Sequence, residues 1–269
     1  MPRFAANITL MLAELPVLDR IEAARRLGFT GVEMLFPYAY AETAIRERLE
    51  GSGIELALFN LPPGDWDAGE RGLAALPGRE SEFRDALDEA LSYAVALGCP
   101  RLHAMAGLDG QGARRETYID NLAHAAAAAG PLGIDILIEP INTFDMPGYF
   151  LTRTAQALEI IATVGAPNLG LQLDLYHRQR MEGAVGDAIA ATRQHVRHYQ
   201  IADATDRGEP RADGAIDFVA AFRDIDAGGY RGWIGCEYRP RTSTEAGLGW
   251  LRELGQSLQW AEATAPGGA

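Results

Sequence analysis

Short apolar runs, each followed by a stretch with helical periodicity, recur along this chain without a break in composition. The runs occupy residues 4–10, 31–36, 54–59, 101–106, 134–138, 169–174, 196–201 and 232–237. Apolar segments of this length between turn residues read as strands buried on both faces. The segments behind them carry apolar residues three and four apart. Leu18, Ile21, Ala24 and Leu27 do so before Gly28, and Phe83, Leu87, Ala90, Leu91, Ala94 and Leu97 before Gly98. Further helices are expected over 41–51, 114–129, 152–164 and 216–227, and Thr242-Ser-Thr-Glu245 reads as a capping box opening the last one. Eight strands alternating with about eight helices is the count of an α/β protein of the (β/α)₈ TIM-barrel type. A doubly wound sheet is the alternative, but no G-x-G-x-x-G follows a strand, and Gly107, Gly110 and Gly112 have the wrong spacing for one. The expected organisation is one barrel domain over 1–262 and a flexible small-residue tail over 263–269.

One stretch interrupts the alternation. Residues 60–78, N-L-P-P-G-D-W-D-A-G-E-R-G-L-A-A-L-P-G, have no clear period, and a loop this long in a compact domain is usually functional, often a lid. Trp66, Glu70 and Arg71 are its chemically capable members; the bland reading is that Trp66 only anchors the loop.

Composition narrows the chemistry. All 24 basic residues are arginine, so no Schiff-base, pyridoxal-phosphate or Walker-type lysine exists here. A formal charge of −13 disfavours nucleic acid and anionic membrane as partners. Cys99 and Cys236 form no C-x-x-C and no disulfide framework, which suits a reduced, cytoplasmic compartment. No signal-peptide pattern opens the chain and no apolar run approaches a membrane span. A homo-oligomer is compatible with all of this.

The residues at which the strands end point to the function. The run 134–138 stops at a carboxylate, Glu139, followed by Pro140, which cannot extend a central strand. Alone, Glu139 is as readily a structural ion pair as a catalytic group. The next three strands end in the same way, on Asp174, Gln200 and Glu237. In a barrel these ends converge on one mouth, where three unneutralised carboxylates repel one another. A divalent cation resolves the conflict, and four oxygen donors select Mg²⁺ or Mn²⁺ over zinc. A metal holding adjacent oxygens of a hydroxy-carbonyl compound acidifies the C–H between them and stabilises the enediolate, with Glu139 and Glu237 as acid and base. The reaction class is aldose–ketose isomerisation or epimerisation. His177, three residues past Asp174, is expected on the adjoining loop within reach of a substrate oxygen, and Arg207 is placed to pair with a substrate carboxylate. Asn142 and Asp145 line the loop after the fifth strand, whereas His103, His124, His195 and His198 show no ligand spacing. Cys236 points away from Glu237 along its strand and reads as packing.

At these residues the chain resembles a known family. I-E-P-I-N-T-F-D-M-P-G, Q-L-D-L-Y-H-R-Q-R-M-E-G, Q-I-A-D and W-I-G-C-E-Y-R-P are similar to segments of the hydroxypyruvate isomerases, members of the xylose-isomerase-like TIM barrels. The likeness extends to M-P-R-F-A-A-N, F-P-Y and G-D-W-D-A-G-E-R-G, nearly the whole chain. It implies Glu139 and Glu237 as the acid/base pair, with Asp174 and Gln200 completing the metal site. It also implies a small hydroxy-oxo acid as substrate, hydroxypyruvate interconverting with tartronate semialdehyde (2-hydroxy-3-oxopropanoate). A 2-oxo-tetronate isomerase, which shares the opening and closing motifs, is the alternative, as is a related ketose 3-epimerase. Sugar epimerases of the superfamily usually carry His where this chain has Gln200, which makes epimerisation the less favoured reaction. Two other classes fit the sequence less well. A DNA-repair endonuclease on a similar barrel would need several His-rich metal ligands and a basic groove. A non-catalytic sugar-acid binder would be expected to lack one of the two glutamates, and both are present.

Overall fold

In a computed structural model, which describes residues 2–253, the eight apolar runs form eight parallel strands closed in sequence order, the last pairing back onto the first. They are β1 (Arg3–Asn7), β2 (Gly31–Glu33), β3 (Glu55–Asn60), β4 (Arg101–His103), β5 (Asp135–Ile138), β6 (Leu169–Asp174), β7 (Val196–Ile201) and β8 (Trp233–Cys236). Around them run α1 (Val17–Arg26), α2 (Glu42–Ser52), α3 (Glu80–Leu97), α4 (Arg115–Ala129), α5 (Thr154–Val164), α6 (Leu175–Met181), α7 (Val185–Thr192), α8 (Phe218–Ala227) and α9 (Thr244–Gly247). This is the (β/α)₈ barrel. The boundary expected at residue 262 and the tail behind it lie outside the described residues. No described helix is long and apolar enough to cross a membrane.

Most helices follow the apolar stripe that announced them. In α3 that stripe, Phe83, Leu87, Ala90, Leu91, Ala94 and Leu97, is buried against the barrel. Two departures matter for the site. The sequence periodicity gave no helix between β6 and β7, yet α6 and α7 lie there. In α6 the buried residues Leu175, Tyr176 and His177 are consecutive rather than three or four apart, so there was no stripe to see. His177 therefore sits in the first turn of a helix, not on a loop. The helix expected behind residue 242 is also capped differently: Ser243 is the N-cap of α9, accepting from the Ala246 N–H at 3.3 Å. Thr244, one residue on, accepts the Leu12 N–H at 2.7 Å.

Residues two apart on a strand face the same side, and the barrel interior is read from that rule. Ala5 and Asn7, Gly31 and Glu33, Asp135 and Leu137, Gln172 and Asp174, His198 and Gln200, and Trp233 and Gly235 form pairs of this kind. At the floor, Trp233 packs with Ala5 and Ala57. Above it, where barrels usually place branched aliphatic side chains, this one buries Asn7, Glu33, His103, Gln172 and His198. Cys236 faces the other way, buried and unpaired, as expected of a packing residue.

The long loop is pinned to the barrel through its second half. Gly72 pairs with Ala106, the Ala75 N–H donates to the Ala106 carbonyl at 2.8 Å, and Asn121 Nδ2 donates to the Ala74 carbonyl. Gly72 is obligatory here: its φ is +113°, and a Cβ would lie 2.2 Å from the Met105 carbonyl oxygen.

Candidate active site

Each of the four strand-end residues picked from the sequence is buried where its strand stops. Glu139 follows β5 directly, Asp174 ends β6, Gln200 is the penultimate residue of β7, and Glu237 follows β8. Asp174 has a double function, because β6 passes straight into α6: its Oδ1 accepts the Tyr176 N–H at 2.8 Å and caps the helix. A cavity of about 500 Å³ opens above these ends. Glu139, Glu237, His177 and Arg207 line it. Asp174 and Gln200 stand behind its wall, Asp174 3.6 Å from His177 Nε2 and Gln200 accepting from Gln172 Nε2 at 2.6 Å.

The hydrogen bonds around His177 assign its tautomer. Asn142 Oδ1 accepts the N–H groups of Phe144 and Asp145 at 3.0 and 2.8 Å, so its Nδ2 faces His177 Nδ1 at 2.6 Å. The Asn142 main-chain N–H also donates to Nδ1, at 3.3 Å. Nδ1 is thus an acceptor and Nε2 carries the proton. That Nε2–H points between Glu139 Oε1, at 3.9 Å, and Asp174 Oδ2, at 3.6 Å. Burial, then the Arg207 charge, pushes the His177 pKa well down and keeps the ring neutral.

Arg207 is the cation at the centre. Its backbone is left-handed, with φ 56°, and its guanidinium reaches Glu237 Oε1 at 2.6 Å and Asp145 Oδ2 at 3.4 Å. Tyr176 holds the other side of Asp145, its hydroxyl donating to Oδ2 at 2.7 Å. Besides Arg207 and the loop's Arg71, both picked out in the sequence, Arg180 and Arg239 line the same cavity. Against these four arginines stand four lining carboxylates, Glu139, Asp145, Asp206 and Glu237. The cavity is therefore far closer to neutral than the −13 of the whole chain.

The long loop contributes two of its three candidates. Trp66 and Arg71 reach the cavity, with the Arg71 guanidinium 3.8 Å over the Trp66 ring and the Phe36 ring 5.3 Å from it. Glu70 does not: it turns away to Arg79 and to the Asp65 N–H. His103, set aside in the sequence for want of ligand spacing, also lines the cavity. Its Nδ1 lies 3.2 Å from Asn60 Oδ1 and 3.7 Å from Glu139 Oε2. Its place at the end of a barrel strand was the available signal. Burial pushes its pKa down to about 3, so it is neutral.

The carboxylates are crowded. Burial first, then the charges of Glu237 and Asp174, raise Glu139 well above the usual carboxylate range. Burial likewise raises Asp174 and Glu237, with the Arg207 charge opposing it in both. Glu139 Oε1 and Asp174 Oδ2 are buried without a hydrogen-bond partner. Ligand atoms of Glu139, Asp174 and His177 fall within 4.8 Å of one another. Unpartnered, buried carboxylate oxygens converging on one place are what a bound cation would neutralise, so the residues fit a metal ion.

A family model described as xylose isomerase-like TIM barrel matches residues 21–254. A 2-oxo-tetronate isomerase from Cupriavidus necator is 52% identical over 256 residues, 94% of this chain and 98% of that protein. A hydroxypyruvate isomerase from Escherichia coli is 45% identical over 255 residues, covering 93% and 98%. A crystal structure from Brucella melitensis, titled AP endonuclease, family 2, superposes with a TM-score of 0.91 at 47% identity, covering 94% and 99%. An L-ribulose 3-epimerase structure, at 21% identity and a TM-score of 0.80, covers both chains fully and shares the fold. The chain belongs to the xylose isomerase-like TIM barrels and, within them, to the isomerase family that holds the hydroxypyruvate and 2-oxo-tetronate enzymes.

Proposed function

We propose that this isomerase interconverts hydroxypyruvate and tartronate semialdehyde, moving one proton between adjacent carbons with Glu139 and Glu237. The observation that carries the reading is two buried glutamates, each with its pKa raised, facing one cavity beside a half-buried arginine. A carboxylate raised by burial is a stronger base when ionised and still able to return a proton at neutral pH. One glutamate takes the proton from C3 of the 2-oxo-3-hydroxy acid, and the electron pair moves into an enediol. The other gives a proton to C2, while the C3 hydroxyl proton passes to the former carbonyl oxygen. Atoms and charge balance, and no oxidant is needed. Arg207 receives the substrate carboxylate bidentately, and His177 Nε2–H donates to a substrate oxygen. The donor set proposed for a divalent cation is Glu139, Asp174, Glu237 and the second lone pair of Gln200 Oε1, all oxygen, which suits Mg²⁺ or Mn²⁺. When bound, such an ion supplies electrostatic stabilisation of the charge that develops on the substrate's adjacent oxygens. The two buried, unpaired cysteines suit a reducing, cytoplasmic setting.

A second substrate has its own support, the 52% identity to the 2-oxo-tetronate isomerase. The proton shift is the same in both acids; the tetronate adds a hydroxymethyl group on C3. The cavity end formed by Phe36, Trp66 and Arg71 is where such a group would be accommodated or refused. DNA cleavage has less support, because the cavity balances its arginines with carboxylates instead of forming a basic groove. Proton NMR of the purified chain with hydroxypyruvate and with 2-oxo-tetronate, with and without chelator, tests the proposal. Isomerisation of hydroxypyruvate at the higher kcat/KM supports it, a preference for the tetronate selects the second reading, and no conversion of either acid contradicts both.

A further inference from the structure

Among the buried carboxylates that the mechanism leaves unused is one inside the barrel. Glu33 ends β2 inside the barrel at 1% exposure. Its Oε1 faces Asn7 Nδ2 at 3.1 Å and Gln200 Nε2 at 2.8 Å, and its Oε2 faces His198 Nε2 at 2.7 Å. Asn7 cannot turn its oxygen to Glu33, because Asn7 Oδ1 already accepts the Thr9 N–H at 3.1 Å. Glu33 Oε1 is therefore an acceptor. An acceptor there turns Gln200 with its nitrogen toward Glu33 and its oxygen away. The Gln200 oxygen receives Gln172 Nε2 at 2.6 Å, so the first amide orients the second. Gln172 Oε1 is left buried without a partner. An amide free to choose would turn to satisfy that oxygen, so the link to Gln200 decides its orientation.

Each amide nitrogen has a second N–H. Gln172 lines the cavity with Glu139 and Glu237, and Gln200 lies on β7 beside the end of β8 that carries Glu237, so the two amides neighbour the two glutamates. Space for the device is built into β8: a Cβ at Gly235 would lie 2.3 Å from Glu33 Oε2.

We propose that Glu33 is a positioning residue for the isomerisation. By orienting Gln200, and through it Gln172, it sets the hydrogen-bonding face presented to Glu139 and Glu237. This rests on the acid/base roles proposed for those two glutamates.

The test uses the full chain labelled with ¹⁵N at glutamine. In the parent, the side-chain amide protons of Gln172 and Gln200 exchange with solvent far more slowly than those of exposed Gln194; fast exchange of either overturns the chain of contacts without any variant being made. Glu33→Gln keeps the shape of the side chain but can also donate. It is expected to shift the side-chain amide resonances of both Gln200 and Gln172, and to lower kcat about tenfold or more with KM within about twofold. His198→Gln removes a partner of Glu33 that lies outside the chain of amides; it lowers Tm but leaves both amide signals and kcat near those of the parent. In Glu33→Gln, movement of Gln200 alone, movement of neither amide, or movement of both with kcat intact overturns the proposal, as does an equal loss of kcat in His198→Gln. The amide spectra need no substrate, so a parent inactive on every acid tried would defeat the proposed function and still read the contacts.

Discussion

Arg207 stands between two acids in the resting site, 2.6 Å from Glu237 and 3.4 Å from Asp145, and a substrate carboxylate must compete with both. A charge-assisted hydrogen bond contributes about 1.5–3 kcal/mol. Arg207→Ala is therefore expected to raise KM for hydroxypyruvate by about 10- to 100-fold, with a much smaller change in divalent-ion affinity read by calorimetry. Equal KM in variant and parent would remove Arg207 from the substrate site. At this scale the sequence showed what chain neighbours reveal. A carboxylate at the end of an apolar run, such as Glu139 or Asp174, announces itself. Glu33 lies in such a run too, but its meaning depends on Gln200, 167 residues away, and nothing local connects them. Arg180 and Arg239 were missed for the same reason: only barrel closure brings them to the cavity.

Elements position these residues, and two junctions show how. Glu182, following α6, ties that helix to the start of α5. Its Oε1 accepts from the Thr154 N–H and hydroxyl, both at 2.9 Å, and from Arg178 Nη1 at 2.8 Å. Burial raises the Glu182 pKa, but the Thr154 donors and Arg178 outweigh it and the net shift is downward. A depressed folded-state pKa stabilises fully above the unfolded value, about 4.3, and the contribution is lost as pH falls through the folded value. Glu182→Gln should therefore be less stable than the parent at pH 7, with the gap closing below about pH 4 in urea titrations; a gap constant with pH would rule the linkage out. At the second junction, Gly72→Ala forces a Cβ onto the Met105 carbonyl at positive φ. It should cost about 2 kcal/mol or more by urea denaturation, and a change within about 0.5 kcal/mol would contradict the pinned loop. The loop was legible as an irregular stretch, but not its two halves. Leu73, Ala74, Ala75 and Leu76 are all buried, without any period to say so, because the loop follows the barrel rim instead of forming an element.

For the whole molecule, the alternation of runs and stripes was sufficient to give the barrel, since eight strand–helix units have few other ways to bury both faces of every strand. The barrel then delivers the strand ends to one mouth, which is why Glu139 and Glu237 meet although 98 residues separate them (237 − 139). Net charge misdescribes that mouth, where arginines and carboxylates balance inside an acidic protein. The central claim is that these two glutamates carry the substrate proton. It is tested most directly by following hydroxypyruvate by proton NMR in D₂O with the parent, Glu139→Gln and Glu237→Gln, each shown to be folded by circular dichroism. The account predicts deuterium entering carbon-bound positions as the parent isomerises the acid, and turnover reduced at least about 100-fold in each variant. Substantial isomerisation by either folded variant would contradict it.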